Sequence, residues 1–196
     1  MNTAGRLSNL LNDLVGKGRA NDMPMVKVWG EVFGLPLDTP HLEDDVVTCI
    51  QGVRMELELL RTKLLAMGAP EELLQPGLAR FRSFSSTTYL NQQWSGLKDE
   101  ISKPENRVPF MWAAWVLRDE NEEILPDDEL SALRSELDSL ENSLQETDMA
   151  PYLRSFVQRQ IDAIRSALLV YRVQGVKPIE TIPLYTTHPG AASRMN

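Results

Sequence analysis

Cysteine and histidine, two residue types that often carry enzyme chemistry, are scarce in this chain. Its 196 residues include a single cysteine, Cys49, and two histidines, His41 and His188. One cysteine excludes a disulfide within the chain, and a Ser-His-Asp or Cys-His arrangement would have to use one of these two histidines. On the helix predicted below, Cys49 lies about two turns from His41 and roughly 80° around the axis, which is a poor geometry for a catalytic pair. We therefore interpret Cys49 as a small buried hydrophobe and predict no catalytic residue.

Long hydrophobic segments are also missing. The longest apolar run covers residues 108–117, well short of the roughly 18 residues that a membrane-spanning helix needs. Residues 1–7 lack the apolar centre of a secretory signal peptide. We therefore predict a cytoplasmic protein that does not enter the membrane.

Positive charge is in short supply, and the charges are unevenly distributed. The net charge is −8 at pH 7. Residues 119–148 include twelve acidic side chains and one arginine, whereas residues 149–177 include five basic side chains and one aspartate. A protein that binds nucleic acid through general electrostatics needs a positive surface. We therefore do not expect nucleic acid as a partner.

Apolar residues at alternating three- and four-residue steps are abundant. A helix turns about 100° per residue, so this spacing gives each helix one apolar side. The pattern predicts an all-α fold, an irregular multi-helix bundle. The stretches that show it are Leu7, Leu10 and Leu14; Val46, Ile50, Val53, Leu57, Leu60 and Leu64; Leu90, Trp94, Leu97 and Ile101; Leu130, Leu133, Leu137, Leu140 and Leu144; and Val157, Ile161, Ile164, Leu168 and Tyr171.

Capping residues and helix breakers set the predicted boundaries. A long central helix covers about residues 40–67, and a C-terminal antiparallel αα-hairpin covers about residues 127–173. The other predicted helical segments are 3–15, 23–33, short turns within 70–84, and 87–102. Residues 108–117 fit either a helix or a buried strand, and we prefer the helix because every other element is helical.

The domain organisation follows from these elements. Residues 1–175 are predicted to form a single helical domain, in which a helical core over 1–118 is followed by a charged hairpin region over 119–175. Residues 176–196 contain three prolines and are expected to form an extended, mobile tail.

The predicted hairpin carries arginines on one helix and carboxylates on the other. Arg154, Arg165 and Arg172 fall within about 20° of one another on the second helix. Asp138 and Glu141 flank the leucine row of the first helix. Two interpretations stay open: the charges pair within the hairpin and help to set its register, or one charged flank faces a partner.

The acidic segment before the hairpin is a further candidate for partner binding. It contains Glu120, Glu122, Glu123, Asp127 and Asp128, which are more carboxylates than the nearby arginines can neutralise. They would either face a basic partner surface and speed the encounter with it, or remain solvated.

Two tryptophans complete the set of candidate partner-binding residues. Trp112 and Trp115 lie one helical turn apart. We interpret them as core residues, but an exposed tryptophan pair would mark an interface.

Metal and phosphate sites have little support in the sequence. Residues 16–19 are glycine-rich and basic but lack the spacing of a phosphate loop. Glu56 and Glu58 lie on opposite sides of their helix, so they cannot share an ion. Asp138 and Glu141 can share one, but no second pair of carboxylates is identified to complete the site. We predict no metal and no cofactor.

These observations favour a non-catalytic helical protein-interaction protein, an adaptor or regulator that acts through a homodimer or a partner protein. Two alternatives stay open. A small acidic inhibitor, immunity or antitoxin-like protein would cover a basic site on its target. A metal-dependent helical hydrolase would need carboxylates from two helices to converge.

Overall fold

The computed structural model describes residues 1–16 and 18–181, with only the backbone of Asp127. Within these residues the chain forms nine α-helices, joined by loops and 3₁₀ turns, and no strand, which confirms the all-α multi-helix bundle. No helix in this part of the chain is long and apolar enough to cross a lipid bilayer. The helices are α1 (Thr3–Gly16), α2 (Met25–Phe33), α3 (Leu42–Ala66), α4 (Glu71–Phe84), α5 (Lys98–Ile101), α6 (Val108–Val116), α7 (Asp127–Glu146), α8 (Pro151–Gln174) and α9 (Lys177–Glu180).

The long central helix α3 forms as predicted. Three acidic residues occupy its first turn, where they interact favourably with the positive end of the helix dipole. Its apolar row is almost completely buried and consists of Val46, Ile50, Val53, Leu57, Leu60 and Leu64. This row packs among α1, α2, α4 and α8. We refer to α1–α6 and their connections as the body of the molecule.

Residues 71–84 form one continuous helix, α4, so the prediction of short turns within 70–84 is wrong. Pro76 lies inside this helix, and a proline in a helix interior costs about 3 kcal/mol. The large buried side chains of α4 are Leu74, Leu78, Phe81 and Phe84. Burying each of them contributes roughly 1.5–3 kcal/mol, so packing outweighs the cost of the proline.

The predicted single helix over 87–102 is also wrong, because this segment forms two 3₁₀ turns and the short helix α5. Part of its backbone forms hydrogen bonds with the start of α2. The carbonyl oxygen of Leu90 accepts from the N–H of Val26 at 2.9 Å, and that of Gln92 accepts from the N–H of Met25 at 2.8 Å. Two carbonyl groups that a helix would use internally are thus committed to another element.

The C-terminal hairpin of α7 and α8 forms as predicted, but only three of the five leucines in its row are buried. Leu130, Leu137 and Leu144 pack in a small second core. Their partners on α8 are Ile161, Leu168 and Tyr171. The intervening Leu133 and Leu140 remain exposed. Helix α8 also reaches the body, where Val173 joins the main core.

The beginning of the expected extended tail is helical. Lys177–Glu180 form the one-turn helix α9, and its Ile179 packs against the hairpin core together with Val176. The rest of the predicted tail, residues 182–196, lies outside the described residues.

Candidate interaction surface

Helix α6 consists of apolar residues on all sides. Its sequence VPFMWAAWV contains no charged or hydrogen-bonding polar side chain other than the indole N–H groups. The prediction that residues 108–117 form a helix, and not a strand, is confirmed for Val108–Val116. Phe110 and Ala113 are buried, and the Phe110 ring meets that of Phe81 edge to face at 5.4 Å. At the other end, the Asn2 side-chain amide donates to the carbonyl oxygen of Leu117 at 2.8 Å. One side of α6 is therefore anchored in the body.

The opposite side of α6 is open to solvent. Val108, Met111 and Trp115 are 59%, 62% and 65% exposed, and Trp112 is 38% exposed. Their spacing of i, i+3, i+4 and i+7 places them in one stripe along the helix. A helix that is apolar all round is normally buried on all sides. We call Val108, Met111, Trp112 and Trp115 the tryptophan face.

A neighbouring residue of α4 extends the tryptophan face. Gly77 packs so closely on Pro109 that an added Cβ would come within 2.7 Å of the proline ring. Leu73 lies one turn before Gly77 on the same side of α4, and it is 63% exposed. Leu73 thus adds an exposed apolar side chain on the side of α4 that meets α6.

An arginine lies at the C-terminal end of the tryptophan face. The Arg118 guanidinium is 4.9 Å from the centre of the Trp115 ring, and it donates to the Trp115 carbonyl oxygen at 3.3 Å. A cation over an aromatic ring is attracted by the negative face of the ring. Tryptophan, methionine and arginine are enriched in the centres of protein interfaces.

The tryptophan face was only partly visible in the sequence. Trp112 and Trp115 were candidate partner-binding residues, but we interpreted them as core, and both are exposed. Val108 and Met111 were not identified. The available sign was that residues 108–117 have no polar side on which a surface helix could meet water.

The acidic segment is partly consumed by contacts within the chain. Glu120 forms an ion pair with Lys63. Glu122 is half-buried and pairs with Arg6 at 2.6 Å. Two of the candidate carboxylates are therefore engaged within the chain, whereas Glu123 and Asp128 are exposed. The side chain of Asp127 lies outside the described part of the chain.

The partner of Glu122 belongs to a buried network that the sequence did not reveal. The side chains of Arg6 and Glu56 are each 4% exposed, and their charged atoms are 2.9 Å apart. Arg6 also donates to the carbonyl oxygen of Val173 at 3.0 Å. It thereby joins α1, α3, α8 and the segment before α7. The one sign in the sequence was Glu56 itself, which follows Val53 of the apolar row by three residues.

The three candidate arginines of α8 contact the chain itself. Arg165 donates to Asp138 at 2.7 Å and to Glu141 at 3.0 Å. The hydrogen bond from Arg165, with a smaller contribution from Gln158, lowers the pKa of Glu141 below its ordinary value. These contacts support the interpretation that the charges pair within the hairpin. Asp138 and Glu141, which the sequence suggested could share a metal ion, both accept hydrogen bonds from the Arg165 guanidinium.

The other two arginines lie at the ends of the hairpin. Arg154 donates to the carbonyl oxygen of Thr147 at 2.7 Å, which satisfies one of the free carbonyl groups at the end of α7. Arg172 lies against Gly34 of the body, where a Cβ would come within 2.8 Å of its guanidinium carbon. Gly34 has φ = 70°, a conformation that glycine adopts without strain.

The residues considered for metal, phosphate or thiol chemistry have structural partners. Arg19 donates to the carbonyl oxygens of Leu14 at 2.6 Å and Asp13 at 2.9 Å, so it closes the end of α1. Glu58 pairs with Arg61 on the solvent side of α3, away from the buried Glu56. Among the described residues, no three His, Cys, Asp or Glu side chains lie close enough to hold a metal ion.

Cys49 is buried at the joint between body and hairpin. Its Sγ lies 3.5 Å from the carbonyl oxygen of Leu169, toward which the thiol donates. Burial, with a smaller contribution from Asp45, raises the pKa of the Cys49 thiol to about 12. A thiol with so high a pKa is almost entirely protonated near neutral pH, and the thiolate is the nucleophile.

A cleft with a volume of about 470 Å³ lies between the hairpin and the end of α2. Charged residues of both signs line it, including Arg134, Asp138, Asp162 and Arg165. Arg165 and Asp138 are paired to each other at 2.7 Å.

Comparison of the chain with protein-family models, with curated proteins and with solved structures finds no match to any of them.

Proposed function

We propose that this chain is a non-catalytic protein-interaction protein that binds a protein partner through the tryptophan face. The observation that carries the proposal is the exposure of four large apolar side chains in one stripe of a helix that has no polar side. Isolated apolar residues on a surface are ordinary, but a contiguous rimmed patch marks an interaction site.

The size of the face supports this proposal. A tryptophan side chain offers roughly 150–250 Å² of surface, so the exposed fractions of Trp112 and Trp115 amount to about 200 Å² together. Val108, Met111 and Leu73 add a similar area. The total of about 400 Å² lies within the roughly 300–600 Å² of the largest patches on single proteins, which are often functional.

The chemistry of the face also supports it. Tryptophan and arginine dominate the residues whose truncation weakens protein complexes most. Trp115 combines a large apolar ring with an indole N–H and is held by Arg118. A partner that covers it would remove a rigid side chain from water at little cost in side-chain entropy.

We propose the cytoplasm as the location of this interaction. The single cysteine of the chain is buried as a thiol, and cytosolic proteins keep their cysteines reduced.

Site-specific photo-crosslinking tests the proposal. A photoreactive benzoylphenylalanine replaces Met111 in one variant and Met55 in a matched control, since these methionines are 62% and 64% exposed in the middle of different helices. In cells that produce the chain, we expect discrete crosslinked protein species from position 111 and only diffuse background from position 55. Equal crosslinking at both positions would contradict the proposal.

The same experiment distinguishes the proposed function from the alternative of an acidic inhibitor. A third variant carries Glu123→Lys and Asp128→Lys together with the photoreactive residue at position 111. If the tryptophan face makes the contact, the crosslinked species persist in this variant. An inhibitor that binds through its acidic residues would lose them.

A further inference from the structure

We infer that the occupant of the tryptophan face is a second copy of this chain, with the two α6 helices packed antiparallel about a twofold axis between Met111 and Trp112. This inference rests on the proposed function and names the partner. Such an interface uses the same surface on both copies, so the surface has to be complementary to itself. Three properties of α6 and its ends meet this requirement.

The first property is the order of side chains along the stripe. In the antiparallel register, Val108 of one copy lies opposite Trp115 of the other, and Met111 lies opposite Trp112. A small side chain therefore faces each large exposed ring at the ends of the stripe. A flexible methionine faces an indole ring at its centre, and sulfur–aromatic contacts of this kind are favourable.

The second property is the charge at the two ends of the stripe. Arg107 lies at the N-terminal end of the stripe and Asp119 at its C-terminal end, whereas the neighbouring Lys103 and Glu120 are paired with Glu100 and Lys63 of the same chain. Antiparallel packing brings the Arg107 end of each copy beside the Asp119 end of the other. The dipoles of the two helices are then also antiparallel, and their ends carry the same signs as the side chains. A parallel pair would bring like ends together.

The third property is the area. A standard protein interface buries about 800 Å² on each partner, of which roughly 56–65% is apolar. That fraction corresponds to about 450–520 Å² of apolar surface per copy. The tryptophan face with Leu73 supplies most of this amount, and the charged ends of the stripe provide the polar rim.

Sedimentation equilibrium of the purified full chain, from micromolar to submillimolar concentration, tests the inference. We expect a concentration-dependent dimer. Met111→Glu should weaken it by more than about a hundredfold, since the charge would be buried near the axis in both copies. Met55→Glu, at the equally exposed control position, should leave it unchanged.

A charge exchange tests the antiparallel arrangement. Arg107→Glu and Asp119→Lys each make the facing ends alike, and each should weaken the dimer by about three- to tenfold. The double variant restores opposite charges and should recover the affinity. Failure of the double variant to recover it would overturn the antiparallel pairing.

Two outcomes would overturn the dimer itself: a chain that stays monomeric at every concentration, or a Met111→Glu variant that dimerises like the unchanged chain. The proposed function is judged separately by the crosslinking experiment. A monomeric chain whose position 111 still crosslinks to a different protein keeps the proposed function and loses only the second copy as partner. A monomeric chain without such crosslinks loses both.

Discussion

The body and the hairpin differ in where they place charged and apolar side chains. The body buries the Arg6–Glu56 ion pair and leaves the tryptophan face open to solvent. The hairpin keeps its ion pairs at the surface, where Arg165 and Asp138 are 42% and 67% exposed, and buries three of the five leucines of its row in a small core. The difference indicates where stability and binding reside: the body has a large core and tolerates an exposed apolar side, whereas the hairpin needs its leucines for folding.

The largest expected effect concerns the buried charge of the body. Removing Arg6 leaves the buried Glu56 carboxylate without its ion-pair partner, and an uncompensated buried charge typically costs about 3–5 kcal/mol. We expect Arg6→Ala to lower the free energy of unfolding by this amount in urea denaturation. Arg54→Ala, at an exposed position of α3, serves as the control and should change it by less than about 0.5 kcal/mol. Similar losses in both variants would contradict the buried network.

A smaller effect on stability distinguishes the buried from the exposed leucines of the hairpin. Leu137 is 8% exposed and Leu140 is 49% exposed. Leu137→Ala should cost about 2–4 kcal/mol, because it removes buried apolar atoms from a small core. The same truncation at Leu140 should cost less than about 1 kcal/mol. Denaturation midpoints that fall equally for both would mean that the whole row is buried, and the contrast between body and hairpin would lose its basis.

The smallest effect concerns the exposed ion pair of the hairpin. The hydrogen bond from Arg165 lowers the pKa of Glu141. A carboxyl group whose pKa is lowered by folding contributes stability above its unfolded pKa, and this contribution disappears as the pH falls through the folded pKa. Arg165→Ala should therefore move the pKa of Glu141 back toward the ordinary glutamate value in an NMR titration. An unchanged pKa would show that the contact does not persist in solution.

The sequence predicted the fold where apolar periodicity was long and helix ends were well marked. The central helix and the hairpin are of this kind, since their rows of buried residues extend over several turns. Residues 71–84 and 87–102 were mispredicted for tertiary reasons. Packing of Leu74, Leu78 and Phe81 overrides Pro76, and backbone pairing with the start of α2 replaces helical hydrogen bonds.

The candidate surface was harder to predict, because exposure depends on which helices are neighbours. The composition of residues 108–117 indicates a buried segment, and nothing local shows that α1 and α4 cover only one side of it. The Arg6–Glu56 pair was missed for the same reason, since its residues are fifty positions apart and meet only when α1 packs on α3. For the acidic residues the sequence suggested more exposed charge than the fold has. Glu120 and Glu122 were candidates for partner binding, and in the fold they form ion pairs with Lys63 and Arg6.

Oxidation of two methionines within the unchanged protein tests the docking of the tryptophan face most directly. Met111 and Met55 are equally exposed in the single chain, and peroxide oxidises exposed methionines to sulfoxide. Peptide mass spectrometry gives both rates in the same sample, so Met55 is an internal control. We predict equal rates in dilute protein and a selectively slower rate for Met111 as the concentration rises. A ratio of the two rates that stays constant with concentration would contradict docking of this face on a second copy.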